Sequence, residues 1–387
     1  MRKTFLVFGK PYSGKEEIKE VMDTIRSGWW GTGPKTELFE KKFRKYTKSK
    51  YSLGVNSATA GLHLALKVLG VGPGDEVITT PLTFCSTVNV ILHCGAKPVF
   101  ADIDPTTWNI DPKEIQRKIT QKTKVILPVH LHGRPCNMDE IQAIAKKNKL
   151  YVVEDAAHAI EAQYRKKKIG SISDITVFSF YVTKNLATGE GGMITTNNKN
   201  WISRMRTMSL HGLSHDAYKR YSVKHFETYE CLVPGFKYNM TDIQASLGLH
   251  QLARIEANAK LRKKYWQMYD KAFASMPEII RPSPEEKGTR HARHLYAIQL
   301  SLDKLKITRN EFVDKLLKEN IGCGVHFMPV HLHKYYRDTF DFKKGDYPNA
   351  EFVGEGILSL PLGANLTTRD VEDVIGAVKK IAKTYKK

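Results

Sequence analysis

Hydrophobic and polar positions change their period along this chain, and the changes mark out its organisation. Between 51 and 196, short apolar runs alternate with amphipathic stretches of about ten residues. The runs at 52–55, 76–79, 97–102, 124–130, 150–155, 176–180 and 192–195 read as strands, and 58–69, 86–93, 112–119 and 138–148 as helices between the earlier ones. That alternation predicts an α/β fold with a large, mostly parallel seven-stranded sheet covered by helices on both faces. The runs 98–103 and 125–130 are nearly continuous in apolar residues, as strands buried on both sides should be. The last three runs are joined by loops and turns instead of full helices, so at least one of them is free to run antiparallel.

After 198 the pattern becomes helical, with a long amphipathic candidate from 240 to about 276. Prolines at 277, 282 and 284 then interrupt it. The remainder offers a strand at 295–300, a helix at 309–319, a second strand at 323–327 and a final helix at 369–384, which makes a smaller C-terminal α+β domain. Residues 1–50 read as a helix-bearing arm with a turn-rich loop at 29–34. The expected division is therefore 1–50, 51–280 and 281–387. No repeat or low-complexity tract is visible.

Composition narrows the class. The 387 residues are 41% hydrophobic and 26% charged, an ordinary balance for a globular chain and unlike a fibrous or disordered one. No apolar run is long enough to span a bilayer, and the start lacks a signal-peptide core, which points to the cytoplasm. The five cysteines are far apart with no zinc spacing, so reduced thiols and no metal are expected. A net charge of +21 raises nucleic acid, membrane surfaces or phosphate-bearing substrates as partners. The basic residues are dispersed in short runs such as 165–168, without a nucleic-acid-binding motif, which favours a solvated surface and neither a nucleic-acid nor a membrane partner.

The chemistry-bearing residues begin with Asp155, at the carboxyl end of a buried strand, where ligands of open α/β sheets bind. Taken alone, it could simply cap a turn. Lys184 follows the next strand and precedes a Gly-rich turn, a setting that can desolvate an amine and lower its pKa for reaction with a carbonyl. Most single lysines are surface residues, but here a carboxylate, a lysine and the Ser179 hydroxyl occur together. Pyridoxal phosphate (PLP) needs such a set: a lysine for its aldehyde, a carboxylate for its ring nitrogen and donors for its phosphate. The segment 56–62 opens a helix with small side chains and free N–H groups that suit an anion, although Ser57 or Thr59 could be a plain N-cap. Phe84 could stack on the ring or belong to the core.

On these residues the chain resembles the DegT/StrS family of PLP-dependent sugar-nucleotide aminotransferases, which have the fold-type-I architecture, along nearly its whole length. The matching stretches are 28–34, 56–62, 74–78, 128–130, 154–159, 178–192, 211–213, 234–243 and 358–362. The stretches 57–61, 211–218 and 237–239 are most similar to the branch that aminates 4-keto sugars on UDP, such as the 4-amino-4-deoxyarabinose enzymes. The resemblance implies Lys184 as the lysine that holds the cofactor, Asp155 as partner of the ring nitrogen, and Ser179, Ala58 and Thr59 as phosphate contacts. It implies Phe84 over the ring, and Asn239 as a phosphate ligand supplied by the neighbouring subunit of a homodimer. A plain reading of Asn239 is the cap region of the helix that follows. His158 stands where many members have Gln, keeping a donor in an unsettled protonation state. Trp30, Lys237, His326 and His331 are carried as substrate residues. His326, His331 and His333 do not have the spacing of a zinc site.

The implied activity is transfer of an amino group from L-glutamate, or glutamine, to a nucleotide-linked keto sugar in surface polysaccharide or modified-sugar biosynthesis. Alternatives are amination at C3 or of a cyclitol ketone, and a regulatory, DNA-associated protein on the same fold; an intact set of Lys184, Asp155 and Ser179 argues against the last.

Overall fold

The computed structural model describes residues 2–214 and 228–387. Residues 215–218 of the 211–218 stretch lie outside them. Two helices, α1 (Lys15–Arg26) and α2 (Pro34–Thr47), precede the sheet. The seven strands are β1 (Tyr51–Val55), β2 (Glu76–Thr79), β3 (Lys97–Phe100), β4 (Thr123–Leu127), β5 (Tyr151–Asp155), β8 (Ile175–Ser179) and β9 (Gly192–Thr196). A short hairpin, β6 (Gln163–Tyr164) and β7 (Lys167–Lys168), lies between β5 and β8. The order across the sheet is β1-β9-β8-β5-β4-β2-β3. Pairs from β3 through β8 are parallel, whereas β9 runs antiparallel to both β8 and β1. The short link between β8 and β9 has no room for a crossover helix, so the chain returns antiparallel.

Helices α3 (Ala58–Val68), α4 (Ser86–His93), α5 (Pro112–Lys118), α6 (Met138–Asn148) and α7 (Lys199–Ser209) accompany these strands. Alternation along β8 decides what each face meets. Phe178 and Phe180 point to α2, with ring centroids 5.1 Å from Phe43 and 5.4 Å from Phe39. Val177 and Ser179 therefore face α3. The β5 strand divides in the same way: Val152 belongs to the first core cluster and Val153 to the second. Glu154 is fully buried, taking the Nε2–H of His130 at 2.6 Å and the Thr176 hydroxyl at 2.9 Å, while Asp155 faces the α3 side.

The long helix expected from 240 to 276 is two helices, α8 (Asp242–Ala253) and α9 (Ile255–Phe273). No Gly or Pro makes this break. Arg254, between them, forms an ion pair with Glu17 of α1, a tertiary contact that the local pattern does not encode. A three-stranded sheet, β10 (Ile279–Ile280), β11 (Tyr296–Leu300) and β12 (Ile357–Leu360), packs with α9, α10 (Arg309–Lys318) and α13 (Thr368–Thr384). Here the sequence expectation needs correcting: 323–327 is not a strand. Only Gly324 bridges to Ser359, because the neighbouring Gly322 donates instead to Leu6 of the N-terminal arm at 2.9 Å. The strand that pairs with β11 is β12, and two further helices, α11 (Lys334–Phe340) and α12 (Pro348–Gly356), precede it. A fourth cluster packs Leu82, Phe100 and Trp108 of the large sheet region against Val330, Tyr336 and Val353.

Two glycines let α3 lie against the sheet. A Cβ on Gly61 would sit 2.7 Å from Val177 Cγ1, and one on Gly192 would sit 2.8 Å from the Ala58 nitrogen and 2.9 Å from the Phe178 oxygen. The second clash is with backbone that cannot turn aside. Gly192→Ala is expected to lower stability by about 1–3 kcal/mol, the usual cost of overpacking. Thermal unfolding checks this; a melting temperature equal to wild type would contradict the close approach.

Candidate active site

The carboxyl ends of β4, β5 and β8 and the amino end of α3 surround one cavity of about 500 Å³. Asp155 ends β5 and is held at both oxygens: the Thr87 hydroxyl donates to Oδ2 at 2.8 Å and the Ala157 N–H to Oδ1 at 3.1 Å. Burial raises the carboxyl above its ordinary range, opposed by these donors and by the charge of Lys184. The turn after β8 brings Lys184 to the same cavity through its N–H, which donates to the Tyr181 carbonyl at 2.8 Å. Its amine has no hydrogen bond or ion pair among the described residues, and burial lowers its pKa to about 8 against the opposing pull of Asp155.

At another end of the cavity lies the start of α3. Ser57 caps the helix by accepting from the Ala60 N–H at 3.1 Å, which leaves the N–H groups of Ala58 and Thr59 for an outside acceptor. Ser57, and not Thr59, is therefore the cap. Ser179 lines the cavity from the end of β8, and Phe84, 57% exposed, stands at its mouth with its ring 5.8 Å from that of Phe327.

His158 lines the cavity as a neutral ring. Its Nδ1 accepts the backbone N–H of His132 at 3.2 Å, so its hydrogen is on Nε2, and burial holds its pKa well below the ordinary value. The protonation state left open by the sequence is thereby assigned. Three more histidines surround it. His132 donates through Nε2 to the His326 carbonyl at 2.8 Å, and the rings of His158 and His294 are 4.5 Å apart. Burial lowers His132 to about 4 and His326 to about 3, and holds His294 well below its usual value.

The structure brings Ala58, Thr59, Phe84, Asp155, His158, Ser179, Lys184 and His326 to this one cavity. It does not bring the other candidates there within the chain. His331 is fully buried and donates to Glu351 at 2.9 Å, away from the cavity, while His333 is exposed, so the three histidines do not converge. Trp30 is 54% exposed and its indole donates to the Ile25 carbonyl at 3.1 Å. The Lys237 carbonyl accepts from Asn56 Nδ2 at 3.1 Å. Asn239 donates through Nδ2 to Thr32 Oγ1 at 2.7 Å; the cap of α8 is Thr241, with Gln244 completing a capping box. Sequence reasoning missed Thr87, His132, His294 and Phe327. Thr87 lies 68 positions from Asp155 and carried no local signal.

These residues fit PLP. A buried carboxylate that retains acceptor capacity suits a protonated ring nitrogen, an unpartnered amine of lowered pKa suits an aldehyde, and an open helix start suits a phosphate.

Comparison with known proteins agrees. The chain is 50% identical over 383 residues to the spore coat polysaccharide biosynthesis protein SpsC of Bacillus subtilis, covering 99% of this chain and 98% of that one. Among solved structures it superposes on Spr1654 of Streptococcus pneumoniae, assigned as a sugar aminotransferase, in its PMP-form, with a TM-score of 0.92, 36% identity and coverage of 98% and 99%. The PLP-form of the same protein gives 0.91. PseC of Helicobacter pylori, an aminotransferase in pseudoaminic acid biosynthesis, gives 0.91 at 29% identity, with coverage of 99% and 100%. Residues 11–379 match the model of one family, and the chain belongs to it: the DegT/DnrJ/EryC1/StrS aminotransferase family.

Proposed function

We propose that this protein is a PLP-dependent aminotransferase that carries an amino group from L-glutamate to a nucleotide-linked keto sugar, a UDP-4-keto sugar, in surface polysaccharide or modified-sugar biosynthesis. The observation that carries the reading is the meeting of Lys184, Asp155 and the open start of α3 at one cavity. The sugar class is supported by the likeness to a polysaccharide biosynthesis protein and to sugar aminotransferases. The UDP-4-keto choice rests on the stretches 57–61, 211–218 and 237–239 of the sequence.

When bound, PLP supplies an aldehyde that condenses with amines and a protonated ring that withdraws electrons when a neighbouring C–H bond breaks. Lys184 would hold the group and, once released from it, would serve as the base that takes a proton from the donor's α-carbon and returns it elsewhere. A lysine with a pKa of about 8 can do both near neutral pH, because a useful fraction of it is uncharged. Asp155 would keep the ring nitrogen protonated, and Thr87 and the Ala157 N–H orient its carboxylate. Ala58, Thr59 and Ser179 would hold the phosphate, His158 has an Nε2–H to offer the cofactor, and Phe84 would cover the ring. His326, at the cavity wall, would contact the sugar.

The site is read as shared between two subunits. The Asn239 side chain donates to Thr32 and does not line its own cavity, although its backbone bridges Val55 close to the start of α3, and this leaves the side chain free of its own phosphate site. Ile18, Met22 and Ile25 leave an exposed apolar stripe on α1 beside Trp30, a surface that a second copy would cover.

Four outcomes test this. Borohydride reduction of the PLP-loaded protein should leave the label on Lys184 in peptide mapping; label on another lysine would remove the core of the mechanism. The rate at which cofactor-free protein combines with PLP should rise with pH and level off above about 8, since only the uncharged amine attacks. Asp155→Asn should retain PLP yet lose nearly all turnover of glutamate and UDP-4-keto sugar. Mixed Lys184→Ala and Asn239→Ala subunits should recover activity that neither homodimer has, because one site of each heterodimer keeps both residues; no recovery would refute the shared site.

A further inference from the structure

The turn that carries Lys184 rests on a buried charged pair. Glu161 and Arg262 form an ion pair with side-chain exposures of only 0% and 3%. Glu161 Oε2 accepts from Asn185 Nδ2 at 2.8 Å, and the same amide donates to the Ala292 carbonyl at 3.2 Å. Both of those partners can only accept, so the orientation of the Asn185 amide is forced. Its oxygen faces His294 Nδ1 at 3.1 Å, and that nitrogen must carry the hydrogen. Asn185 is thus tied at three points, one peptide bond beyond Lys184. Lys184, Asn185 and Arg262 also border a void of about 40 Å³, too small for a substrate.

Among the described residues, the buried charged and titratable groups around the Lys184 amine are Asp155 from β5 and the four histidines His132, His158, His294 and His326, while Tyr181 and Glu190 line the exposed rim of the cavity. Burial keeps all four rings neutral. The charge of the amine is then decided by Asp155 and by how completely the turn keeps water away. A buried ion pair is weak evidence of added stability, since desolvating both ions offsets their attraction, and its clearest use is to fix an arrangement.

We propose that Asn185, held by the Glu161–Arg262 pair, is a positioning residue for Lys184. It fixes the turn that keeps the amine out of water, and it fixes His294 as the Nδ1–H tautomer beside His158. This rests on the reading of Lys184 as the reactive amine, and its test does not depend on turnover.

The test is competitive acetylation of cofactor-free protein with trace acetic anhydride from neutral to strongly alkaline pH, with each lysine followed by peptide mass spectrometry. In the wild type the Lys184 midpoint should fall near 8. In Asn185→Ala it should rise by about one pH unit or more toward the ordinary lysine value, as the loosened turn admits water. Asn185→Leu keeps nearly the same volume and adds no charge but loses both donors, and its midpoint should also rise, which covers the case in which the alanine variant does not fold. A purely structural residue would lower the melting temperature and leave the midpoint in place. An unchanged midpoint in whichever variant is folded by circular dichroism overturns the proposal. A rise without any aminotransferase activity in the wild type would keep it and sink the functional reading instead.

Discussion

A carboxylate taken out of water with no ion pair among the described residues is the constraint around which this molecule is arranged. Asp155 ends a central strand, and burial raises its pKa, yet the protein spends a threonine from α4 and a backbone N–H on its two oxygens. Such groups stabilise the ionised form without neutralising it. The next residue back, Glu154, shows the other solution: it faces the opposite side of the sheet and is satisfied by His130, Thr176 and the Ser173 N–H. Adjacent acids on one strand thus have opposite fates because the strand alternates. One is completed by the fold, and the other is left to be completed by what binds.

The lysine side of the cavity follows the same logic in reverse sign. Four imidazoles stand near Lys184, and burial keeps each of them uncharged. Any of them in its cationic form would oppose the ammonium and leave Asp155 with competing partners. The +21 charge of the chain therefore stops short of the buried floor of the site, where one amine stands against one carboxylate, with Glu190 at the exposed rim. That local economy is what the geometry adds to the net charge, which by itself pointed to no particular partner.

Much of this was legible in the sequence because it is local. Continuous apolar runs gave the parallel strands, and the position of Asp155 at one strand end and of Lys184 after the next gave the chemistry. The antiparallel return of β9 was foreseeable from the short connection before it. What escaped was non-local. The break at Arg254 is made by an acid on α1, and the failure of 323–327 to form a strand follows from a bond to the N-terminal arm. His132 and His294 became site residues only through folding. Asn185 looked like the neighbour of a lysine until the amide orientation, set by Glu161 and Ala292, gave it a task.

The placement of the cavity residues separates two kinds of change. Asp155, Ser179 and Ala58 sit on strand ends and a helix start whose opposite faces form the cores, so altering them reaches deep into the molecule. Phe84 and Tyr181 are 57% and 45% exposed on loops at the mouth, and Phe327 lies on a segment that belongs to no strand. Substitution at the mouth can reshape what enters without disturbing the floor. A lineage built on this plan can exchange substrates more freely than chemistry, because the mouth side chains are largely exposed whereas the floor belongs to elements that form the cores.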